Sequence, residues 1–558
     1  MSSITQCLRI RPLGRQTATA SLVGLAFCLV RSVAFAAQPA QPESGTSTVP
    51  SAPNDTAATE AAPSDQTAVD LPTPSAADAN EQDKSVPASR SAKTSRGATA
   101  ASANISDSEG GLFEDALAGG ENPNDTGVAS AKAANFDLYG YVRTDLFAGP
   151  SPAPGGPRMQ AAYGELALKL KVSPERYGSA YAELRLRQGL EGVDPEQKLD
   201  LREAYVDGHF GPVDLRLGKQ IIVWGRADAF NPTNNLTAVD LRVRSPVEDD
   251  RRIGSVALRS YLNLAPMRLE YVWVPLYTPV ELPSVQIPDF IALGPTDYPS
   301  PELSHGLQAG RLHLLLPSVE ASVSYLYGYA PLPGLALNDF TVGVDPTVIT
   351  ISRTAYRHHV VGLDFSTAIG DLVAVRGEAA YRRPERKGAR VYVPRRDLQY
   401  VLGLDRSFGP VSVIAQYVGR YVFNFRRERS AQEQLDPSIL SSWEPPLPAT
   451  LEQSVVEAID QELAVRNQIL FAQTAKVQHA LSARLEWLTL RETLSLSALG
   501  MLNLTTKEWL VYPKISYQLS DRMSTAIGGE IYQGPDGTLL GLIDNTLTAG
   551  YAELRLTY

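Results

Sequence analysis

From Phe136 to Tyr558 the chain consists of segments in which apolar and charged residues alternate with a period of two. The last of them, YAELRLTY at 551–558, places Leu554 and Leu556 on one parity and Glu553 and Arg555 on the other. Because successive side chains of a strand point to opposite faces, this period predicts strands with one apolar and one charged face. Soluble sandwiches and membrane barrels both contain such strands.

The lengths of the connections between these segments separate the two architectures, because short and long connections alternate along the chain. The short ones lie at 173–178, 211–213, 262–266, 316–318, 369–371, 408–410, 489–492 and 520–521. The long ones lie at about 221–252, 275–304, 330–352, 383–396 and 423–470, with a further loop expected before 202 and smaller ones near 503–508 and 534–545.

Tight turns on one rim and long loops on the other are typical of bacterial outer-membrane barrels. Such a barrel is closed because lipid cannot satisfy the hydrogen bonds of a free sheet edge. The sequence therefore predicts an all-β fold, a transmembrane antiparallel β-barrel of about 18 strands (range 16–18) over residues 135–558. The short turns and both ends of the barrel should face the periplasm, and the long loops should lie outside the cell.

The first 36 residues have the organisation of a secretory signal peptide. Three arginines precede the apolar run SLVGLAFCLV at 21–30, and Ala34 and Ala36 occupy the small-residue positions of a cleavage site. The run is short for a spanning helix, although an uncleaved anchor is the alternative. Together with the predicted barrel, this leader predicts location in the outer membrane of a Gram-negative bacterium.

Residues 37–134 form a segment rich in Ala, Ser, Thr, Pro, Asp and Glu, with five basic and fourteen acidic residues. Such a composition cannot bury enough apolar surface to offset chain entropy, so the segment is predicted to be disordered and periplasmic. The island GLFEDALAGG at 111–120 is either a transient turn, a docking motif for a periplasmic partner, or a pore plug.

The two cysteines of the chain, Cys7 and Cys28, both lie in the predicted leader. The mature chain therefore has no thiol for a disulfide, a metal site or a nucleophile. Its six histidines belong to no recognisable catalytic or nucleotide-binding motif. We expect neither an enzyme nor a cofactor or metal site, and no nucleic-acid partner.

The last alternating segment is expected to close the barrel against the first, FDLYGYVRTDLF at 136–147. A terminal strand with an aromatic last residue resembles the signal that the outer-membrane barrel assembly machinery reads. Leu554, Leu556 and Tyr558 are the residues expected to carry that signal. This machinery and outer-membrane lipid are the predicted partners.

One stretch resembles a known family. LREAYVDGHFGPVDLRLGKQIIVWGRADAFNPTNN, residues 201–235, contains a strand hairpin followed by an extracellular segment. It resembles a family of uncharacterised proteobacterial outer-membrane proteins that share its tight turn, its Leu-Arg-Leu-Gly strand and its Trp-Gly-x-Ala-Asp segment. The Gly-Lys-Gln hairpin is similar, more loosely, to the alginate-export and anion-selective porin families. The resemblance implies a porin-like outer-membrane barrel.

The alternation also selects the side chains that would face the lumen. Their charges are mixed, so a ladder of cations would favour anions, whereas interleaved opposite charges would brace the wall. Trp224 or the turn at Asn231 is expected to anchor a loop folded into the mouth, either as a solute-binding constriction or as a structural ion network. The candidate pore-lining residues are Arg143, Lys169, Lys171, Arg185, Arg187, Glu203, Tyr205, Asp207, Arg216, Gln220, Arg259, Arg376, Glu378, Arg420 and Arg484.

A barrel of about eighteen strands is wide enough for an aqueous channel unless loops or a plug fill it. The sequence favours a channel for small solutes. An export port for a polysaccharide or another polymer, and a non-conducting barrel that anchors a partner, are the alternatives. The transported solute is not specified by any motif.

The longest loop contains LEQSVVEAIDQELAVRNQI at 451–469, in which an apolar residue recurs every fourth position from Leu451 to Leu463. This spacing predicts an amphipathic helix of about five turns. Its apolar stripe needs a partner surface, either the barrel mouth with the 221–252 loop or a neighbouring loop. We expect the mouth, where the helix would narrow the pore.

Overall fold

The computed structural model describes residues 135–150, 157–173, 178–192, 194–283, 291–341, 348–370, 372–385, 390–431 and 448–558. The predicted signal peptide, the predicted disordered segment and its island at 111–120 lie outside these residues. The described part of the chain forms twenty-three strands and two α-helices. Neither of these helices combines the length and the apolar character needed to cross a membrane.

The elements are numbered in chain order. The strands are β1 (Asn135–Gly149), β2 (Arg158–Ser173), β3 (Ser179–Glu191), β4 (Asp194–Phe210), β5 (Val213–Gln220), β6 (Ala238–Val239), β7 (Arg252–Ile253), β8 (Ser255–Leu264), β9 (Met267–Val274), β10 (Ile291–Leu293), β11 (Leu307–Leu315), β12 (Val319–Tyr329), β13 (Gly334–Thr341), β14 (Val348–Thr354), β15 (Arg357–Ile369), β16 (Val373–Pro384), β17 (Asp397–Phe408), β18 (Val411–Val422), β19 (Val477–Thr489), β20 (Leu494–Asn503), β21 (Trp509–Ser520), β22 (Met523–Gln533) and β23 (Ala549–Thr557). The helices are α1 (Ala449–Leu470) and α2 (Leu539–Leu547).

Eighteen of these strands form one closed antiparallel barrel. Strands β1–β5, β8, β9, β11, β12 and β15–β23 each pair with the next barrel strand along the chain. Strand β23 pairs back with β1, from Tyr141 opposite Thr557 to Ala148 opposite Gly550. The prediction of an 18-strand barrel closed by its terminal strand is confirmed.

The barrel wall carries apolar side chains on its outer face and charged side chains on its inner face. In β1, Leu138, Val142 and Leu146 are 59, 45 and 46% exposed, whereas Arg143 and Asp145 of the other parity are 1 and 0% exposed. A water-soluble protein buries its apolar parity instead. The outer surface therefore suits lipid, and the charged groups lie in the lumen.

Short turns connect neighbouring strands at one end of the barrel. Two of them repeat the sequence Phe-Gly-Pro-Val, at 210–213 and 408–411. Gly211 and Gly409 adopt φ angles of 61° and 59°, a left-handed conformation that glycine reaches without steric cost. Both turns therefore reverse the chain within a few residues.

Two connections differ from the predictions. The loop expected before 202 is absent because β3 and β4 continue as a hairpin, and the chain turns at Gly192 (φ 73°). The connection near 534–545 was predicted to be a loop but contains α2. The Thr538 side chain caps this helix by accepting a hydrogen bond from the Gly541 N–H at 3.3 Å.

The long connections build structure above the barrel. Strands β10, β14 and β13 form a three-stranded sheet from two of these connections. Helix α1 confirms the predicted helix, and its buried side chains pack against this sheet; the cluster includes Val455, Ala458, Ile459, Leu463, Ile291, Leu335, Ile349 and Ile351. The expectation that α1 packs on the mouth with the 221–252 loop is therefore wrong, because the sheet offers a continuous apolar face.

Candidate functional site

The connection between β5 and β8, residues 221–254, folds into the barrel, and we call it the lumen loop. Trp224 is 1% exposed and packs in a cluster with inward-facing residues that include Val272 and Leu326. Its Nε1–H donates a hydrogen bond to Glu270 Oε1 at 3.0 Å. Trp224 thus anchors an inward loop, as the sequence predicts.

Glu378 of β16 holds the middle of the lumen loop. Its carboxylate accepts hydrogen bonds from the backbone N–H groups of Arg226 (3.2 Å), Ala227 (3.1 Å) and Thr233 (2.6 Å), and from Thr233 Oγ1 at 2.7 Å. Three of these four donors are backbone N–H groups of the lumen loop, and they occupy both oxygens of one buried carboxylate. Glu378 therefore fixes the path of this segment across the barrel.

Ion pairs attach the same segment to other parts of the wall. Arg226 Nε lies 2.9 Å from Asp364 Oδ1 on β15, and Arg226 also pairs with Glu320 on β12. Asp228 Oδ2 lies 2.7 Å from Arg484 Nε on β19. Three barrel strands, β16 to β18, separate β15 from β19, so the lumen loop contacts more than one part of the wall.

The end of the lumen loop is held by Asp250. Its two carboxylate oxygens each lie 2.7 Å from a guanidinium nitrogen, Oδ2 from Arg143 on β1 and Oδ1 from Arg185 on β3. Ser245 Oγ donates to the same carboxylate at 2.5 Å. The guanidinium groups hold the pKa of Asp250 well below its usual range, against the effect of burial.

Asp250 should stabilise the barrel most at neutral pH. An Asp with a lowered pKa stabilises the folded state above about pH 3.9, its unfolded value, and loses this contribution as pH falls through the folded pKa. We expect Asp250→Ala to cost about 3–5 kcal/mol near pH 7, because two buried guanidinium groups lose their counter-ion. Urea unfolding of the detergent-solubilised barrel measures this difference.

The difference between wild type and Asp250→Ala should be constant from pH 7 to pH 5 and shrink below about pH 4. Thr493→Ala, in the turn between β19 and β20, is the control, because its hydroxyl donates to the Leu490 carbonyl at 2.7 Å and not to a titratable group. This variant should show no such pH profile. A difference that shrinks between pH 7 and pH 5 would contradict an ionised Asp250 anchor.

A second ion cluster attaches the lumen loop to β22. Glu530 pairs with Arg244, whose Nη1 lies 2.9 Å from Oε2, and with Arg251. The Arg244 carbonyl accepts a hydrogen bond from Tyr163 of β2 at 2.5 Å. The loop therefore contacts both sides of the seam between β23 and β1.

Five of the predicted pore-lining residues contact the lumen loop directly: Arg143, Arg185, Glu203, Glu378 and Arg484. The others contact neighbouring wall or loop residues: Arg187 with Glu165, Lys169 with Glu183, Arg216 with Asp207 and Tyr205, Gln220 with the Ala257 carbonyl, Arg259 with Glu270, Arg376 with Asp405, and Arg420 with the Phe471 carbonyl. Lys171 forms no ion pair with a residue that the structure describes.

The pore-lining prediction omits several residues that hold the loop. Glu270 lies on the same parity as Arg268 and Val272 in MRLEYVWV, so the alternation contains the signal for it. Asp250 lies in a non-periodic loop segment, and nothing in its local sequence indicates a contact with β1. Only the folded topology brings Asp250 to Arg143 and Arg185.

A charged cavity of about 250 Å³ lies between the lumen loop and strands β2–β5. Eight basic side chains line it: Arg185, Arg187, Lys198, Arg202, Lys219, Arg242, Arg251 and Arg252. Five acidic side chains line it as well: Glu165, Asp200, Asp240, Asp250 and Glu281. The formal charge of the cavity lining is therefore positive. Among the described residues no group of His, Cys, Asp and Glu side chains is arranged to hold a metal ion.

Comparison with known proteins shows similarity to one protein family and to several solved structures. Residues 121–253, which include the lumen loop up to Ile253, match the family described as "Protein of unknown function (DUF1302)". No curated protein matches the chain.

Solved structures with a similar chain trace include a BenF-like porin from Pseudomonas fluorescens Pf-5, at 10% identity and a TM-score of 0.44, covering 76% of this chain and 98% of that one. OccAB4 of Acinetobacter baumannii has 11% identity and a TM-score of 0.44, covering 77% and 99%. OccK5 (OpdH) of Pseudomonas aeruginosa has 12% identity and a TM-score of 0.39, covering 76% and 97%. The chain is thus similar over residues 121–253 to a family of unknown function.

Proposed function

We propose that this protein is an outer-membrane channel that passes small solutes, with a preference for anions. Three features support the proposal: a closed barrel, an apolar outer face and a charged lumen that the lumen loop narrows. Lipid requires a closed barrel with an apolar outer band. We place the short turns in the periplasm and the long connections outside the cell.

The basic cavity beside the lumen loop is the observation that carries the anion preference. Its lining has more basic than acidic side chains, and Lys198 and Arg252 are two of its four partly exposed basic members, with side chains 40 and 27% exposed. Rings and clusters of Arg and Lys favour anions in pores because they offset the cost of removing water from the ion. A solute that passes between the loop and β2–β5 meets this positive surface.

Single-channel recording of the purified barrel in a planar bilayer tests the proposal. We expect discrete conductance steps and a reversal potential displaced toward chloride in a KCl gradient. The variant Lys198→Glu with Arg252→Glu should displace the reversal potential toward potassium, because it turns two basic groups of the cavity acidic.

The matched control is Lys507→Glu with Arg429→Glu, which makes the same charge change at two exposed positions in other connections. This variant should keep the wild-type reversal potential. An assembled wild-type barrel without conductance would overturn the channel and favour a barrel closed by its lumen loop. Equal displacement in both variants would overturn the role of the cavity.

A further inference from the structure

A groove of about 730 Å³ lies on the barrel at its long-connection end, apart from the lumen. The residues that line it come from three consecutive barrel strands, β12, β15 and β16, and from the connections beside the ends of β16, β17 and β18. Its lining includes Tyr327, Arg357, His359, Arg383, Arg396 and Phe423. The groove is therefore a continuous feature of the rim and does not belong to one flexible loop.

The strand register places this groove on the outer face of the barrel. His359 lies opposite Tyr327 on one neighbouring strand and opposite Arg383 on the other. The adjacent residue His358 is 4% exposed and points inward, so His359 points outward. Arg396 directly precedes β17, and Phe423 directly follows β18. The Phe423 N–H donates a hydrogen bond to the Arg396 carbonyl at 3.0 Å, so these two residues continue the row of His359 and Arg383 along the rim.

The groove is basic. Arg383 and Arg396 are exposed, and Arg357 is partly exposed. None of these three forms an ion pair with a carboxylate in the described part of the chain. Arg395, which also lines the groove, has Nη2 2.7 Å from Glu428. The one carboxylate in the lining, Glu385, lies 3.4 Å from His359 Nε2.

Aromatic rings contact two of these three arginines. Arg357 lies 4.9 Å above the ring of Tyr329 and donates to Tyr327 Oη at 3.2 Å. Arg396 lies 5.5 Å from the ring of Phe423. Outward Tyr and Phe rings at a barrel rim mark the level of the lipid headgroups. The guanidinium groups therefore lie at headgroup depth.

The groove continues into the apolar outer wall. Along β15, toward the short turns, the outward residues after His359 are Val361 and Leu363, which are 48 and 50% exposed. Tyr325 on β12, 49% exposed, borders the same surface. A ligand that fits both parts has an anionic head and apolar chains.

We propose that this groove binds the phosphorylated headgroup of a lipid in the outer leaflet, with the acyl chains lying along Val361 and Leu363. Arginine guanidinium groups bind phosphate oxygens through two parallel hydrogen bonds, and three guanidinium groups in one groove match a headgroup with more than one phosphate. The inference rests on the proposed outer-membrane location and is independent of conduction.

Native mass spectrometry of the detergent-solubilised full chain tests this site with bis-phosphorylated lipid A as the probe. We expect wild type to retain one lipid. The triple variant, which combines Arg357→Gln, Arg383→Gln and Arg396→Gln, should bind the lipid at least about tenfold more weakly, since three charge-assisted contacts are lost. The control combines Arg406→Gln, Arg491→Gln and Arg522→Gln, three exposed arginines at the short-turn rim. The control should bind as wild type does.

Two further measurements separate the possible ligands. Dephosphorylated lipid A should bind weakly, and equal binding would overturn the proposal by assigning retention to the acyl chains. Inorganic pyrophosphate should not displace lipid A at equal concentration, and displacement would overturn the proposal in favour of a soluble phosphate site. Equal loss in the triple variant and its control would also overturn it. Conductance of the triple variant should match that of wild type. Lipid binding is measured without conductance, so a wild-type barrel that does not conduct would overturn the proposed channel and leave the lipid site unaffected.

Discussion

Replacing residues 226–250 by a short Gly/Ser bridge should raise the single-channel conductance several-fold. This segment crosses the lumen between Glu378, Arg484 and Glu530. Without it, the cross-section approaches that of an open barrel of eighteen strands, which is wide enough for an aqueous channel. Planar-bilayer recording measures the change, and heat-modifiable migration on a gel verifies that the barrel assembles.

Deletion of 427–466 is the control for this prediction, since it removes a longer stretch that includes most of α1. Helix α1 packs on the sheet of β10, β13 and β14, so we expect a smaller change in conductance. If the first deletion prevents assembly, Asp250→Ala with Glu378→Ala removes two anchors and keeps the loop. Conductance steps of the wild-type size in any lumen-loop variant that assembles would contradict the assigned constriction.

Deletion of Tyr558 should abolish most of the assembled barrel. Its backbone exchanges two hydrogen bonds of 3.1 Å with Gly140 on β1, and its Oη donates to the Ala167 carbonyl on β2 at 3.1 Å. The deletion removes these bonds at the closing seam and the aromatic end of the proposed assembly signal. The amount of heat-modifiable barrel in outer-membrane fractions measures the effect.

Replacement of Gly140 by Ala tests the same seam without changing the terminal residue. A Cβ at Gly140 would lie 2.0 Å from the Ala167 carbonyl oxygen and 2.8 Å from Tyr558 Oη. Gly164→Ala is the matched control, because no atom lies within 4 Å of the added Cβ. We expect loss of barrel with Gly140→Ala and none with Gly164→Ala.

Leu556→Asp, which places a charge on the outward face, should also reduce assembly. The effect of such a charge is smaller for a position near the rim than for one at the bilayer midplane. Normal barrel levels after deletion of Tyr558 would refute the predicted signal.

The barrel could be predicted from the sequence because its determinants are local. Alternation fixes which side chains point outward, and turn length fixes which strands are neighbours. The sequence also contains a pattern for the hairpin extension of β3 and β4, because Leu199 and Leu201 alternate with Lys198 and Asp200. A loop was predicted there because the nearby Gly and Pro residues favour one.

The contacts of the lumen loop could not be predicted in the same way. Asp250 lies more than one hundred residues from Arg143 in the chain, and the two meet only after the barrel closes. Alternation predicts that Arg143 and Arg185 face the lumen, but it does not predict which carboxylate they pair with. The partner surface of α1 was missed for a related reason, because the sheet of β10, β13 and β14 forms from connections that lack regular alternation.

The lumen loop also restricts how the cylinder can deform. Arg143 on β1 and Glu530 on β22 lie on opposite sides of the seam, and the loop binds the first through Asp250 and the second through Arg244 and Arg251. Separating β1 from β23 therefore breaks internal ion pairs in addition to the hydrogen bonds of the seam. These ion pairs oppose opening of the seam toward the bilayer, so we expect a solute of the proposed channel to enter and leave along the barrel axis.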